Sequence, residues 1–357
     1  MLRSGMESKT FWMCITRKNW PDPIDFGVYI LECTGILLNT LTLVLISKKH
    51  SGPRVSLILL RGMIASYLIS VIVNFMSDVY PYNLRTQNYH FNRLICIFWK
   101  SRFLYWIFDV MAGIFMALFA VDRYACLAQL DRFRITAPEY RSASYVIFVV
   151  VSALFLSLPQ ILTVNLREDR CDCALIRVSI PFLSLVYAHV YVWFSLLLVF
   201  QGSLMGFICV QLIDWKLNRL SANYTWRLED DLNGMTLKQP VVPHLLKPQR
   251  KKKGTVASSI CDAKGHKWTS ASFCILPLTL SYVLAMVYDS TYQFLSALGL
   301  TTYIISSEEQ RVGEMLLLTH STAVPLIICF YIPSLRVFLK RQLKRAVKKK
   351  KAGSTVP

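Results

Sequence analysis

Residues 96–127 read CIFWKSRFLYWIFDVMAGIFMALFAVDRYACL. From Phe103 to Val121 this run is apolar apart from Asp109, and it closes on Asp122-Arg123-Tyr124. A helix of about 20 such residues is long enough to cross the hydrocarbon core of a bilayer. An ionisable side chain inside a span is costly to hold there and is functional by default. The stretch therefore reads as a membrane-spanning helix with one buried acid and an acid–arginine–tyrosine triplet at its end.

Composition agrees with that reading. The chain has 357 residues, 54% hydrophobic and 17% charged, with a formal net charge of +19. Soluble domains seldom combine so apolar a composition with so basic a charge. A nucleic-acid binder shares the charge but lacks repeated apolar runs of spanning length, so no nucleic-acid partner is expected. The basic excess belongs in cytoplasmic loops of a polytopic membrane protein. Ten cysteines are scattered, mostly within apolar runs and without metal-ligand spacing, and most read as buried thiols.

Two spans precede the third and four follow it, at residues 26–46, 55–76, 144–164, 188–213, 271–292 and 312–331. The expected fold class is an all-α membrane protein, a seven-transmembrane helix bundle. Residues 1–25 form an N-terminal segment with no cleavable signal peptide expected, and residues 26–334 hold the bundle. Lys48, Lys49, His50 and Arg54 make one basic loop, and Arg132, Arg134 and Arg141 another. Residues 214–268 are polar, with Glu229-Asp230-Asp231 and Arg250-Lys251-Lys252-Lys253. They read as a long irregular cytoplasmic loop. Asn223-Tyr224-Thr225 is a glycosylation sequon, and on this topology it faces the cytoplasm and stays unmodified. Residues 335–357 begin with LRVFLKR, a short amphipathic basic helix on the membrane surface. The Lys348–Lys351 tail then adds attraction to anionic lipids. The charge pattern places the N-terminus outside and the C-terminus inside.

A triplet of this kind closing the third of seven spans resembles the rhodopsin-like (class A) family of G-protein-coupled receptors. Asn39 matches that family's first-helix asparagine, Pro159 its fourth-span proline and Pro325 its seventh-span proline. The final amphipathic helix matches as well. The chain also departs from the pattern. Arg61 and Ser66 stand where the second span usually carries asparagine and a sodium-binding aspartate, and Arg61 reads as snorkelling to headgroups. Gln201-Gly202-Ser203 lies where a proline would fall. Tyr282 takes the toggle tryptophan's place and Leu284 the proline's, although Pro277 could kink the sixth helix lower down. Val324 and Ile328 replace the polar ends of the seventh-span motif. The spacing from Cys96 to Arg123 is slightly longer than is usual in the family.

The resemblance implies a plasma-membrane receptor that binds an extracellular ligand and activates a heterotrimeric G protein. Arg123 would alternate between Asp122 and the G protein beside Tyr124. Leu130 or Phe133 would offer the second inner loop's apolar contact. Cys96 would be bridged to the second outer loop through Cys171 or Cys173, with Cys171 preferred for its mid-loop position.

The ligand face is read from the residues. Counting helical turns from Arg123 puts Arg102, Tyr105 and Asp109 on neighbouring parts of one face in the outer half. Tyr282, Asp289 and Glu314 could add contacts, giving a pocket for a cationic or zwitterionic ligand, peptide or small molecule. Two other readings stay open: Asp109 bonded internally to His320, and Arg102 snorkelling outward. No motif calls for a cofactor or metal, and no acid–base or nucleophile constellation suggests an enzyme. A transporter or channel is the alternative function. It would show internal repeats or paired broken helices, and the sequence shows neither.

Overall fold

The computed structural model describes residues 12–14, 22–48, 54–79, 86–127, 138–167, 170–173, 188–234, 271–305, 307–332 and 335–341. Helices dominate because a backbone in hydrocarbon must satisfy its own hydrogen bonds. α1 is Pro23–Lys48 and α2 is Arg54–Val79. Asp22 and Asp25 cap α1 reciprocally: each carboxylate accepts the other's backbone N–H, at 3.0 and 2.9 Å. Pro23 sits just inside that cap, where its missing N–H costs nothing.

The third stretch is not one helix from Cys96, as the sequence suggests. α3, Tyr89–Ile95, is capped by Asn88 and runs into a wide π turn, Cys96–Lys100. The chain then breaks at Ser101 and Arg102, and Arg102 adopts φ 56°. α4, Phe103–Leu127, starts afresh from that break. The extra length between Cys96 and Arg123 is absorbed here.

α5 is Pro138–Ser157, displaced toward the N-terminus from the expected 144–164. Pro159 falls in the 3-10 turn that follows it, Leu158–Thr163. Helical residues from 188 onward widen into a π turn, Phe194–Phe200, and continue as α6, Gln201–Gly234. Residues 214–234, read from composition as irregular, are therefore helical. Polar composition reports exposure rather than backbone shape. α7 is Ile275–Ala297, so Pro277 lies in its first turn instead of kinking its interior. α8 is Glu308–Tyr331, with Pro325 inside it and Ser307 capping it. Residues 335–341 form a further short helix, α9, which rests Leu335, Phe338 and Leu339 on the core.

Among the described residues, six helical stretches are long and apolar enough to cross a membrane: Pro23–Lys48, Arg54–Val79, Tyr89–Cys126, Glu139–Ile161, Ala188–Asn218 and Glu308–Tyr331. α7 packs between α6 and α8. α4 is central, against α2, α5 and α6. The core gathers Leu59, Leu60, Met63, Phe119, Met205, Leu278, Tyr282 and Val324. Ile147, Val151 and Phe155 on one stripe of α5 point outward, as suits a surface solvated by lipid. Gly62 lets α2 approach α4 closely: a Cβ there would come within 2.7 Å of the Phe115 ring.

Among the described residues, four short strands lie at the Cys96 end. β1, Trp12–Cys14, pairs in parallel with β4, Tyr303–Ile305, with Trp12 opposite Tyr303 and Cys14 opposite Ile305. β2, Val164–Arg167, forms an antiparallel hairpin with β3, Arg170–Cys173.

Candidate functional site

At the Arg123 end, α4 terminates in a buried charge cluster. One Asp122 carboxylate oxygen accepts from Ser56 Oγ at 2.5 Å and from Arg123 Nη2 at 3.2 Å. The other lies 3.6 Å from Arg141 Nη2. Arg123 also donates to Cys126 Sγ at 3.1 Å. Tyr124 turns toward α6, its ring edge-on to Phe207. A buried carboxylate is tolerated when charge and hydrogen bonds compensate it, and Asp122 has both. Nearby, Arg54 bridges Glu139 at 2.8 Å, but both are exposed, so the pair contributes little. Leu130 and Phe133 lie outside the described residues.

The middle of the bundle is joined by polar links. Asn39 donates to the carbonyls of Gly35 and Ser321, tying α1 to α8 at 3.2 Å. Gln201 donates to the Gly113 carbonyl at 2.9 Å, so the residue in place of a proline fastens α6 to α4. His320 meets the Tyr67 hydroxyl and Ser281 Oγ, each at 2.9 Å. It is not the partner of Asp109, which answers one alternative from the sequence. Tyr282 is fully buried and donates to the Leu197 carbonyl at 3.0 Å, a bond between helices. Arg61 donates to the Ile46 carbonyl at 3.1 Å, so it braces α1 rather than only reaching for headgroups.

Toward the Cys96 end the charges concentrate. The left-handed backbone at Arg102 aims its guanidinium across the bundle to Asp78 at 3.2 Å and to Glu314. Arg102 thus joins the third stretch to α2 and α8 and does not snorkel. Asn74 Nδ2 donates to both Glu32 at 2.7 Å and Glu314 at 3.0 Å. Asp289 accepts from Gln293 at 2.8 Å and from the Tyr303 hydroxyl at 3.4 Å. Burial, and then the Asp289 charge, push the Tyr303 phenol well above its ordinary range.

Asp109 differs from these acids. It is only 5% exposed, yet it makes no hydrogen bond or ion pair with any described residue. Tyr67, Tyr105 and Tyr282 lie within electrostatic reach of it. The Cys96–Cys171 disulfide, with Cα atoms 5.5 Å apart, ties the hairpin to the head of the third stretch. Cys171 is therefore the partner and Cys173 is not. At the rim, Arg311 grips Asp22 and, at 2.5 Å, Asp25. The Arg311 hydrogen bond holds the Asp22 carboxyl well below the usual carboxylate range.

The structure brings Arg102 and Glu314 together, sets Asp109 within electrostatic reach of Tyr105 and Tyr282, and leaves Asp289 in a separate pair with Tyr303. Asp78, Glu32, Asn74, Arg141 and Arg311 were missed by the sequence reading. Glu32 and Asn74 had a signal, being polar residues inside apolar spans. Arg141 and Arg311 had none, since terminal charges resemble ordinary loop residues. No cluster of His, Cys, Asp and Glu suited to a metal occurs among the described residues.

No family model matches the chain, and no curated protein matches it. Among solved structures it is similar to the crystal structure of squid rhodopsin, with a TM-score of 0.59 and 13% identity, over 95% of this chain and 93% of that one. At that identity the likeness speaks for the fold alone, a rhodopsin-like helix bundle.

Proposed function

We propose that the chain is a divergent class A G-protein-coupled receptor of the plasma membrane, with seven spans and its N-terminus outside. α7 supplies the span beyond the six apolar stretches, and α9 lies on the inner membrane surface among anionic headgroups. Ligand in the outer half favours the state whose inner face opens for a heterotrimeric G protein. The observation that carries this is the buried Asp122–Arg123 pair closing α4, at the opposite end from the Cys96–Cys171 tie.

In the closed state Asp122 holds Arg123. On opening, Arg123 leaves to meet the G protein beside Tyr124, Leu130 and Phe133. The ligand pocket is built on Tyr105, Asp109 and Tyr282. Arg102, Asp289 and Glu314 are engaged with protein partners and set its charge rather than waiting for ligand. Asp109 is a buried acid without a partner among the described residues, and a buried carboxylate suits a positive charge. A cationic or zwitterionic ligand, peptide or small molecule, fits this arrangement.

The test is nucleotide exchange by a panel of G proteins in membranes carrying wild type or variants, with a library of cationic ligands. Arg123→Ala should abolish exchange. Asp122→Asn should raise basal exchange, by about 5- to 150-fold for a coupling of ~1–3 kcal/mol. Equal exchange from wild type and Arg123→Ala with every G protein would refute signalling through this pair.

A further inference from the structure

The pair at the end of α4 has a third member. Arg141, in the first turn of α5, approaches the Asp122 oxygen that Arg123 and Ser56 leave free. The side chains of Asp122, Arg123 and Arg141 are 3%, 5% and 16% exposed, so one buried carboxylate faces one buried and one partly buried arginine. Arg141 Nε is buried with no hydrogen-bond partner. Its place is held by the Asp122 charge rather than by a full set of hydrogen bonds.

We infer that Arg141 is a positioning residue of the gate, holding Asp122 when Arg123 departs and so easing that departure. This rests on the gate described above. In the closed state the two guanidinium groups repel each other and divide one carboxylate. When Arg123 leaves, Arg141 is the cation left on the carboxylate beside the Ser56 hydroxyl, and the repulsion is gone. Without Arg141, the departure of Arg123 would strand a buried charge, which is strongly unfavourable. Arg141 therefore favours the open state relative to the closed one. Its removal should act in the opposite direction to removal of Asp122.

The experiment reads the bundle itself. Arg123 lies close enough to Cys274, beside the inner end of α7, for its charge to act on that thiol. Amide hydrogen exchange over residues 271–280, on receptor in lipid nanodiscs without G protein, follows opening at that point. Arg141→Gln should slow exchange there about tenfold, within the range expected of such couplings. Arg141→Lys, which keeps the charge, should restore most of it. In an Asp122→Asn background, Arg141→Gln should have no effect, because the interaction it removes is already gone. Faster or unchanged exchange in Arg141→Gln would overturn the inference. So would equal slowing in the Asp122→Asn background, which would mark a merely structural role. If no variant activates any G protein while this pattern holds, the coupling reading fails and the gate geometry stands.

Discussion

Replacing Arg102 separates two effects that meet at one residue. The side chain bridges Asp78 and Glu314, with exposures of 23%, 19% and 6% for Arg102, Asp78 and Glu314. The backbone sits at φ 56°, where a side chain is strained. Arg102→Ala removes the guanidinium and leaves two acids facing one another. Breaking a buried pair by removing one member costs ~3–5 kcal/mol. Partial exposure of Arg102 and Asp78 puts this case near the low end, about 3 kcal/mol. Arg102→Gly loses the same charge but relieves the left-handed backbone, which costs an L-residue roughly 1–2 kcal/mol. The glycine variant should therefore be the more stable of the two by about 1 kcal/mol. Thermal unfolding in nanodiscs at a fixed scan rate gives the ranking. At roughly 2–4 °C per kcal/mol, Arg102→Ala should lose roughly 6–12 °C and Arg102→Gly a few degrees less. Adding Glu314→Gln to Arg102→Ala should restore part of the loss, since one stranded carboxylate is neutralised. A glycine variant no more stable than the alanine variant would refute the backbone reasoning. An alanine variant as stable as wild type would refute the ion-pair reasoning.

Two further outcomes concern the same end. Cys96→Ala should lower surface expression, because a native disulfide typically contributes ~2–4 kcal/mol; mass mapping that found Cys96 reduced in folded surface protein would contradict the tie. The Asp22–Arg311 pair should make the rim acid-sensitive. The folded carboxyl titrates below its unfolded value of about 3.9, so its contribution is present above that pH and is lost as pH falls through the folded value. Unfolding midpoints measured down through pH 4 should fall less steeply in Asp22→Asn than in wild type, and identical slopes would argue against this linkage.

Much of the bundle was legible because spanning runs and charge asymmetry are direct consequences of the bilayer. The Cys96–Cys171 bridge is one of the two pairings that the family resemblance left open, and the Asp122–Arg123 pair closes α4. The break at Arg102 was not legible. Arginine carries no signature of a left-handed backbone, and the only hint was the stretched spacing from Cys96 to Arg123. Nor could the partners of Arg102 be read, since Asp78 and Glu314 lie 24 and 212 residues away in sequence. Cross-bundle pairing is decided by helix rotation and depth, which a hydropathy pattern leaves undetermined. Asp109 shows the converse case. One acid in an apolar run was easily found, but its lack of a partner is a property of three dimensions.

The N-terminal strand bears on the order in which this protein can be made. β1 pairs with β4, and Asp22 meets Arg311 from 289 residues away. Asn39 reaches Ser321 across 282 residues. Synthesis runs from the N-terminus at about 5–20 residues per second, so the opening segment waits tens of seconds for its partners. Joining α1 to α8 is therefore a late event of biogenesis. A nascent chain halted before residue 303 could insert its early spans but would leave β1 unpaired and Asp22 without its arginine.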